Sequence, residues 1–452
     1  MNNEDRIQPW KENPQYWQYK GKPVLLLGGS KSDGFFRIVD GEAHADEIAA
    51  CGGNYVRHTM AQLITEEEFP QPIFPYEKDS NGRYDLTRPS QTYWQMFADM
   101  LRWTAERDII VQIEVWDRFD LSRGAWALSP WNPANNVNYT TQESGLAAEY
   151  PEHPAKDLQP FFHTVPGMAN YAPELDRVRH YQEAYVSKML SYSLDYGHVL
   201  YCMNNETSTS PQWGQYWIEL IRNEARERGV QVCVTDMFDD AHLGDRARLA
   251  KVVYDQPDYY DFVDISQINS RNFDDRHWEV ACWAIERNRP YGRPANHTKI
   301  YGGGYTSWGS GGNEDGEERF WRNLLAGSAA CRGHRPPGGN GLNDRAKAYI
   351  RAARHAENLI KFWDVVPRMD LLRDRAPNAA YVAAREGEAY LLYFTNGGSV
   401  TLDLTEAEGS FKLTWIGITQ AELLREERIE GGKPLPVRAP YKGGWVAAIV
   451  RP

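Results

Sequence analysis

The chain has 452 residues, 42% apolar and 25% charged, the balance of a globular protein with room for one large α/β domain and a smaller one. A net charge of -12 argues against nucleic acid and anionic membrane surfaces as partners. The five Cys, widely spaced with no CxxC or Cys/His pattern, argue against zinc and a disulfide framework, and no apolar window is long enough to span a membrane. The start, MNNEDRIQPW, lacks the basic and apolar regions of a signal peptide, so a soluble chain is expected, cytoplasmic or secreted/periplasmic with its signal removed.

In chain order, short apolar runs alternate with longer amphipathic ones. PVLLLGGS (23–30) is a strand, HADEIAACGG (44–53) a helix stopped by glycine, and NYVRHTM (54–60) a strand. SQTYWQMFADMLRWTAERD (90–108) carries apolar residues at helical spacing and leads into the strand IIVQIEVWD (109–117). A Trp/Pro/Asn-rich connection without periodicity fills 118–173, a length that marks a functional loop. The helix at 174–196 feeds the strand HVLYCMNNE (198–206). Helix 212–229 and strand 230–238 follow, then a helix near 245–254 and strand 262–268. Helix 275–288 and strand 295–303 come next, then helix 314–327, strand 329–335 and helix 344–364.

Eight strand–helix units with near-continuous apolar strands predict a (β/α)8 TIM barrel over residues 1–368. GGSKSDG (28–34) lacks both the GxGxxG and the Walker spacing, so no nucleotide cofactor is expected, and no metal or other cofactor either. From about 370 apolar and polar residues alternate, with an Asn-Gly-Gly turn at 396–398, which predicts a small antiparallel β-sandwich over 369–452.

Barrel active sites lie at the C-terminal strand ends. Those ends carry Arg57 and His58; Glu114, Trp116 and Asp117; Asn204, Asn205 and Glu206; Asp236; Ser266 and Gln267; Lys299 and Tyr301; and Arg332, His334 and Arg335. A core strand has no packing reason to end on Asn-Glu, and Thr207, Ser208 and Ser210 are better helix caps. Paired carboxylates among sugar-stacking aromatics fit glycoside chemistry, in which one carboxyl protonates the leaving oxygen and a second attacks or activates water. Glu206 is the expected general acid, with Asp236, Asp117 and Glu314 as candidates for the second group. Arg57, His58, Trp116, Asn205, Tyr301, Trp308, Arg332 and His334 are the candidate substrate-binding residues.

An Arg ending strand 2 and Asn-Glu ending strand 4 resemble the retaining (β/α)8 glycoside hydrolase superfamily, in which the strand-4 Glu is the acid/base. NPQYWQYKGKPVLLLGGS, NHTKIYGG and RFWRNLLAGSAACRGH resemble, more narrowly, the apiosidase-like (DUF4038-type) hydrolases, and the tail around LTWIG resembles their appended collagen-binding-type β-sandwich. The superfamily places its nucleophile at the end of strand 7. Here Thr298, Lys299 and Tyr301 stand there and no carboxylate does. The resemblance thus implies a hydrolase acting on a carbohydrate, with a second carboxylate away from strand 7. The alternatives are a non-catalytic glycan-binding barrel, or a lyase that uses Tyr301, His58 or Lys299 on a uronate. The sequence leaves the oligomeric state open.

Overall fold

In the computed structural model, the described residues are 2–60, 68–150, 159–239, 250–304 and 309–452. Among them are eight parallel strands: β1 Leu26–Gly29, β2 Tyr55–Thr59, β3 Ile110–Asp117, β4 Val199–Asn205, β5 Cys233–Thr235, β6 Val263–Asp264, β7 Ala295–Ile300 and β8 Ala330–Gly333. Their order is β5-β4-β3-β2-β1-β8-β7-β6. The remaining seam, β5 to β6, is stitched by the Asp261 amide donating to the Val234 carbonyl (2.9 Å) and by Thr235 Oγ1 donating to Phe262 O (2.7 Å). The Asp261 carboxylate accepts from the Val234 amide and replaces the missing ladder partner.

Around this (β/α)8 barrel run α1 Gly41–Ala50, α2 Gln91–Glu106, α3 Leu175–Ser193, α4 Pro211–Glu227, α5 Ala250–Asp255, α6 Asp274–Asn288, α7 Asn313–Ala326 and α8 Asp344–Leu359. No helix among the described residues is long and apolar enough to cross a membrane. A short N-terminal antiparallel sheet sends Trp17 into the barrel, where its Nε1 donates to Asn296 Oδ1 (2.9 Å) and its ring meets Phe262 edge-on. The barrel interior is polar: Tyr55, Gln112, Asp264, Asn296 and Thr298 hydrogen-bond across it. Gly28 serves strand packing, since a Cβ there would lie 1.8 Å from Tyr55 O. The stretch between β2 and α2, which lacks a strand pattern, holds a hairpin (Tyr76–Lys78 with Tyr84–Pro89) turned at Gly82, where φ is +80°.

The C-terminal strands are β9 Val366–Pro367, β10 Leu372–Arg373, β11 Ala380–Arg385, β12 Ala389–Phe394, β13 Ser399–Asp403, β14 Ser410–Gly417, β15 Glu422–Glu430, β16 Pro434–Arg438 and β17 Trp445–Val450. They form a six-stranded sheet, β9-β11-β12-β17-β14-β15, and a three-stranded sheet, β10-β13-β16, that enclose a small core of their own. The TIM barrel is therefore followed by an antiparallel β-sandwich. The central strands of the six-stranded sheet are apolar on both faces. Tyr390, Leu392 and Phe394 fill the sandwich, while Tyr381, Leu391, Tyr393, Ile416 and Val446 belong to the core of the barrel. Trp321 of α7 stacks on Tyr393 (5.8 Å between centroids), and Trp278 of α6 packs on Tyr381 (5.0 Å).

Candidate active site

β4 ends on the Asn-Glu pair, and the pair does not cap the following helix. Ser210 is the N-cap of α4 and Pro211 opens its first turn. Glu206 instead has φ +55°, a left-handed backbone that costs a non-glycine residue about 1–3 kcal/mol and clusters at functional sites. Its carboxylate is 16% exposed. Oε1 accepts from the Lys299 ammonium and from the Tyr301 hydroxyl (3.4 Å); Oε2 faces the Arg118 guanidinium at 3.8 Å; the Gln267 amide bonds the same carboxylate. Burial alone would raise the Glu206 carboxyl. The ammonium, the guanidinium and the amide outweigh it and hold the group at about 2. That ionised state differs from the protonated carboxyl expected of a general acid.

Lys299 reaches Glu206 because β7 is bulged. Its register with β8 shifts between His297 and Ile300, and the amides of Thr298 and Lys299 both donate to Ser266 Oγ (2.9 and 3.1 Å). Consecutive side chains thereby turn inward: Thr298 bonds Asp264, while Lys299, almost fully buried, bonds Glu206 and Asn205 Oδ1 (3.1 Å). The Asn205 amide links two strands' chemistry, since its Nδ2 donates to Asp117 Oδ2 (3.1 Å) on β3. Asp117 also accepts from the Phe119 amide (2.9 Å). Burial pushes the Asp117 carboxyl up to about 6, against the pull of that amide, Arg57 and Asn205. Asp117 and Glu206 thus flank the Asn205–Lys299 hydrogen bond with opposite proton preferences.

A second cluster centres on Asp33, in the loop after β1. Its carboxylate meets Arg57 (2.8 Å), Arg335 (3.1 Å), Arg332 (3.2 Å) and the His334 ring (3.8 Å). Burial opposes ionisation, yet the guanidiniums, Arg57 foremost, hold Asp33 well below the usual carboxylate range. Arg57 also bonds Glu114 (2.6 Å), and His334 lies against Tyr301 with ring centroids 4.6 Å apart. Burial pushes the His334 imidazole well below its usual value.

The expected site residues therefore divide. Glu206, Asn205, Asp117 and Tyr301 come together at the mouth, and Arg57, Arg332 and His334 stand behind them around Asp33. His58 is fully buried on the other side of β2, against Phe36 (4.7 Å) and Phe97 (6.1 Å). Trp116 faces the helices too, packed on Tyr185 of α3 and on Trp213 and Trp217 of α4 (5.5, 5.8 and 5.2 Å). It offers no open ring face for a sugar. Asp236 bonds Asn204 Nδ2 (2.8 Å) and lies against Gly214 of α4. Glu314 lies in the first turn of α7, 71% exposed and paired with Arg345 (2.7 Å). Neither Asp236 nor Glu314 faces Glu206. Trp308 lies outside the described residues. Asp33 and Arg118 escaped the sequence reading. Asp33 sits in GGSKSDG, weighed there only for phosphate binding, and Arg118 directly follows a strand-end carboxylate, a readable signal.

A family profile described as a domain of unknown function (DUF6298) matches residues 76–272. A search of the curated proteins finds no match. Among solved structures, a glycoside hydrolase family 5 protein from Bacteroides vulgatus ATCC 8482 is similar at TM-score 0.64 and 12% identity, over 98% of this chain and 92% of its own. A second structure, described as a glycoside hydrolase, gives TM-score 0.66 and 11% identity over 98% of this chain and 96% of its own. A noncanonic maltogenic alpha-amylase, AmyB, from Thermotoga neapolitana gives 0.51 and 11% over 94% and 96%. At these identities the likeness is one of fold.

Proposed function

We propose that this protein is a glycoside hydrolase, with the barrel of residues 1–368 as its catalytic domain and Glu206 as a reacting carboxylate. The observation that carries this is Glu206 itself: a partly exposed carboxylate on a strained backbone at the mouth of a (β/α)8 barrel, gripped by Lys299, Tyr301 and Arg118. That barrels of similar shape are described as glycoside hydrolases supports the reading. The resemblance of NHTKIYGG and RFWRNLLAGSAACRGH to apiosidase-like hydrolases narrows it in the same direction. The sandwich of residues 369–452 has a packing role, supported by the stacking of Tyr393 on Trp321.

The lyase alternative is weaker. Burial and the Glu206 charge push the Tyr301 phenol well above its ordinary value, Lys299 is ion-paired, and His58 is outside the barrel. The test is a panel of oligosaccharides with products read by mass. Products whose masses sum to the substrate plus one water, lost in Glu206→Gln, are the expected result. Products that sum to the substrate mass, one of them unsaturated and lighter by one water than its hydrolytic counterpart, would establish the lyase, and equal glycan binding by both forms without cleavage would establish a binding protein.

A further inference from the structure

On the glycosidase reading above, we infer that Lys299 fixes Glu206 as a carboxylate so that Glu206 is the nucleophile, and that Asp117 on β3 is the proton donor. In a barrel with its nucleophile at strand 7, Glu206 would need a proton to give. Here the strand-7 position holds an ammonium, aimed by the Thr298–Lys299 bulge and anchored at once to Glu206 Oε1 and Asn205 Oδ1. Protonating Glu206 would leave that ammonium buried beside a neutral acid, with the Arg118 guanidinium on the other oxygen. The groups bonded to or paired with Glu206 favour the ionised form: Lys299 and Tyr301 from β7, Arg118 after β3 and Gln267 after β6; the opposing charge is Asp239, which shares the Arg118 guanidinium (2.6 Å).

Asp117 has the opposite surroundings. It is buried, the neighbouring Glu114 charge opposes its ionisation, and the cation acting on it, Arg57, is already engaged by Asp33 and Glu114; its N–H donors, Phe119 and Asn205, favour the carboxylate but are neutral and do not outweigh burial. Environments that push two carboxyls apart assign the acid and its partner, and here they place Asp117 near 6 and Glu206 near 2. A carboxylate near 2 is a weak base toward water and remains ionised for attack at carbon.

The chemistry then balances in two steps. Asp117 gives its proton to the glycosidic oxygen as the bond from that oxygen to the anomeric carbon breaks, the electron pair leaving with the oxygen, and a Glu206 oxygen closes onto the carbon. Water then adds to the same carbon, its proton passing to Asp117, and the ester bond breaks with its pair returned to Glu206. One water is consumed, both carboxyls are restored, and configuration is retained.

The decisive measurement does not depend on knowing the substrate. Protein labelled with 13C at the Glu and Asp carboxyl carbons is titrated by NMR from pH 4 to 8, with Glu206→Gln and Asp117→Asn assigning the two signals. The expected wild-type result is a flat Glu206 signal and an Asp117 midpoint near 6. Lys299→Gln brings the Glu206 midpoint into the window, while Lys299→Arg, which keeps the charge, leaves it flat. A Glu206 midpoint above 4.5 in the wild type, or one unmoved by Lys299→Gln, overturns the inference. Aryl glycosides with a 2,4-dinitrophenol leaving group then test the roles. Asp117→Asn keeps most activity on them and loses at least about 100-fold on unactivated oligosaccharides, whereas Glu206→Gln loses both. The reverse pattern overturns the assignment. A wild type inactive on every glycoside overturns the glycosidase reading and the roles with it, leaving the titration to judge the charge states alone.

Discussion

Replacing Asp236 by Asn should make the protein more stable at pH 8 than at pH 4, relative to wild type, and leave the active site intact. Asp236 is 1% exposed, its Oδ1 accepts from Asn204 Nδ2 and the Met237 amide (2.8 Å each), and its Oδ2 has no hydrogen-bond partner among the described residues. Burial pushes the carboxyl from 3.8 to about 7. Between pH 4 and pH 7 the unfolded chain releases this proton before the folded one does, so stability is full below about 4 and falls as pH rises through the window. A shift of about 3 units at 1.36 kcal/mol each is worth about 4 kcal/mol. An Asn cannot titrate, so the difference between Asp236→Asn and wild type should grow by about 4 kcal/mol from pH 4 to pH 8. Urea denaturation followed by tryptophan fluorescence at five pH values measures it. A flat difference across that range would refute the burial argument. Loss of turnover in the folded variant would refute the placement of Asp236 behind β5.

Tyr393 is wholly buried between Trp321 and Tyr381, and its hydroxyl has no hydrogen-bond partner among the described residues, so Tyr393→Phe should gain about 1 kcal/mol in denaturant melts and Tyr393→Ala should lose about 3–5 kcal/mol. Asp33→Asn removes the one carboxylate shared by Arg57, Arg332 and Arg335 and should cost about 3–5 kcal/mol, read by the same melts at pH 7. Glu314→Gln breaks an exposed pair with Arg345 worth under about 1 kcal/mol and should leave turnover unchanged, which a single assay of the purified variant decides.

Hydrophobic periodicity was enough to mark all eight barrel strands, because each is a short apolar run with few competing readings. The sandwich followed from alternation and the Asn-Gly-Gly turn, where Gly397 and Gly398 have φ of +67° and +90°. Which side of the barrel wall a strand-end residue faces was another matter. A side-chain period of two predicts it only while the strand is regular. The bulge at Thr298–Lys299 breaks the period in β7. In β3, Glu114 points to Arg57 inside while Trp116 points to α3 and α4 outside, so the parity changes there as well. Asp236 and His58 were placed by the strand-end rule alone and fell on the helix side. Asp33 and Arg118 come from loops, whose positions depend on partners far away in the chain: Arg332 lies about 300 residues from Asp33, and Asp239 meets Arg118 at 2.6 Å from the loop after β5.

The six-stranded sheet has a consequence for how this chain can be cut or recombined. A tethered module normally turns a polar back to its neighbour and travels between proteins at little cost. Here that back is built from Tyr381, Leu391, Tyr393, Ile416 and Val446, and on the barrel side Trp278 and Trp321 are shaped to receive it. Severed near residue 368, each half would carry an adhesive apolar surface into solvent and precipitate or bind chaperones. The two units are thereby to be expressed and engineered as one piece.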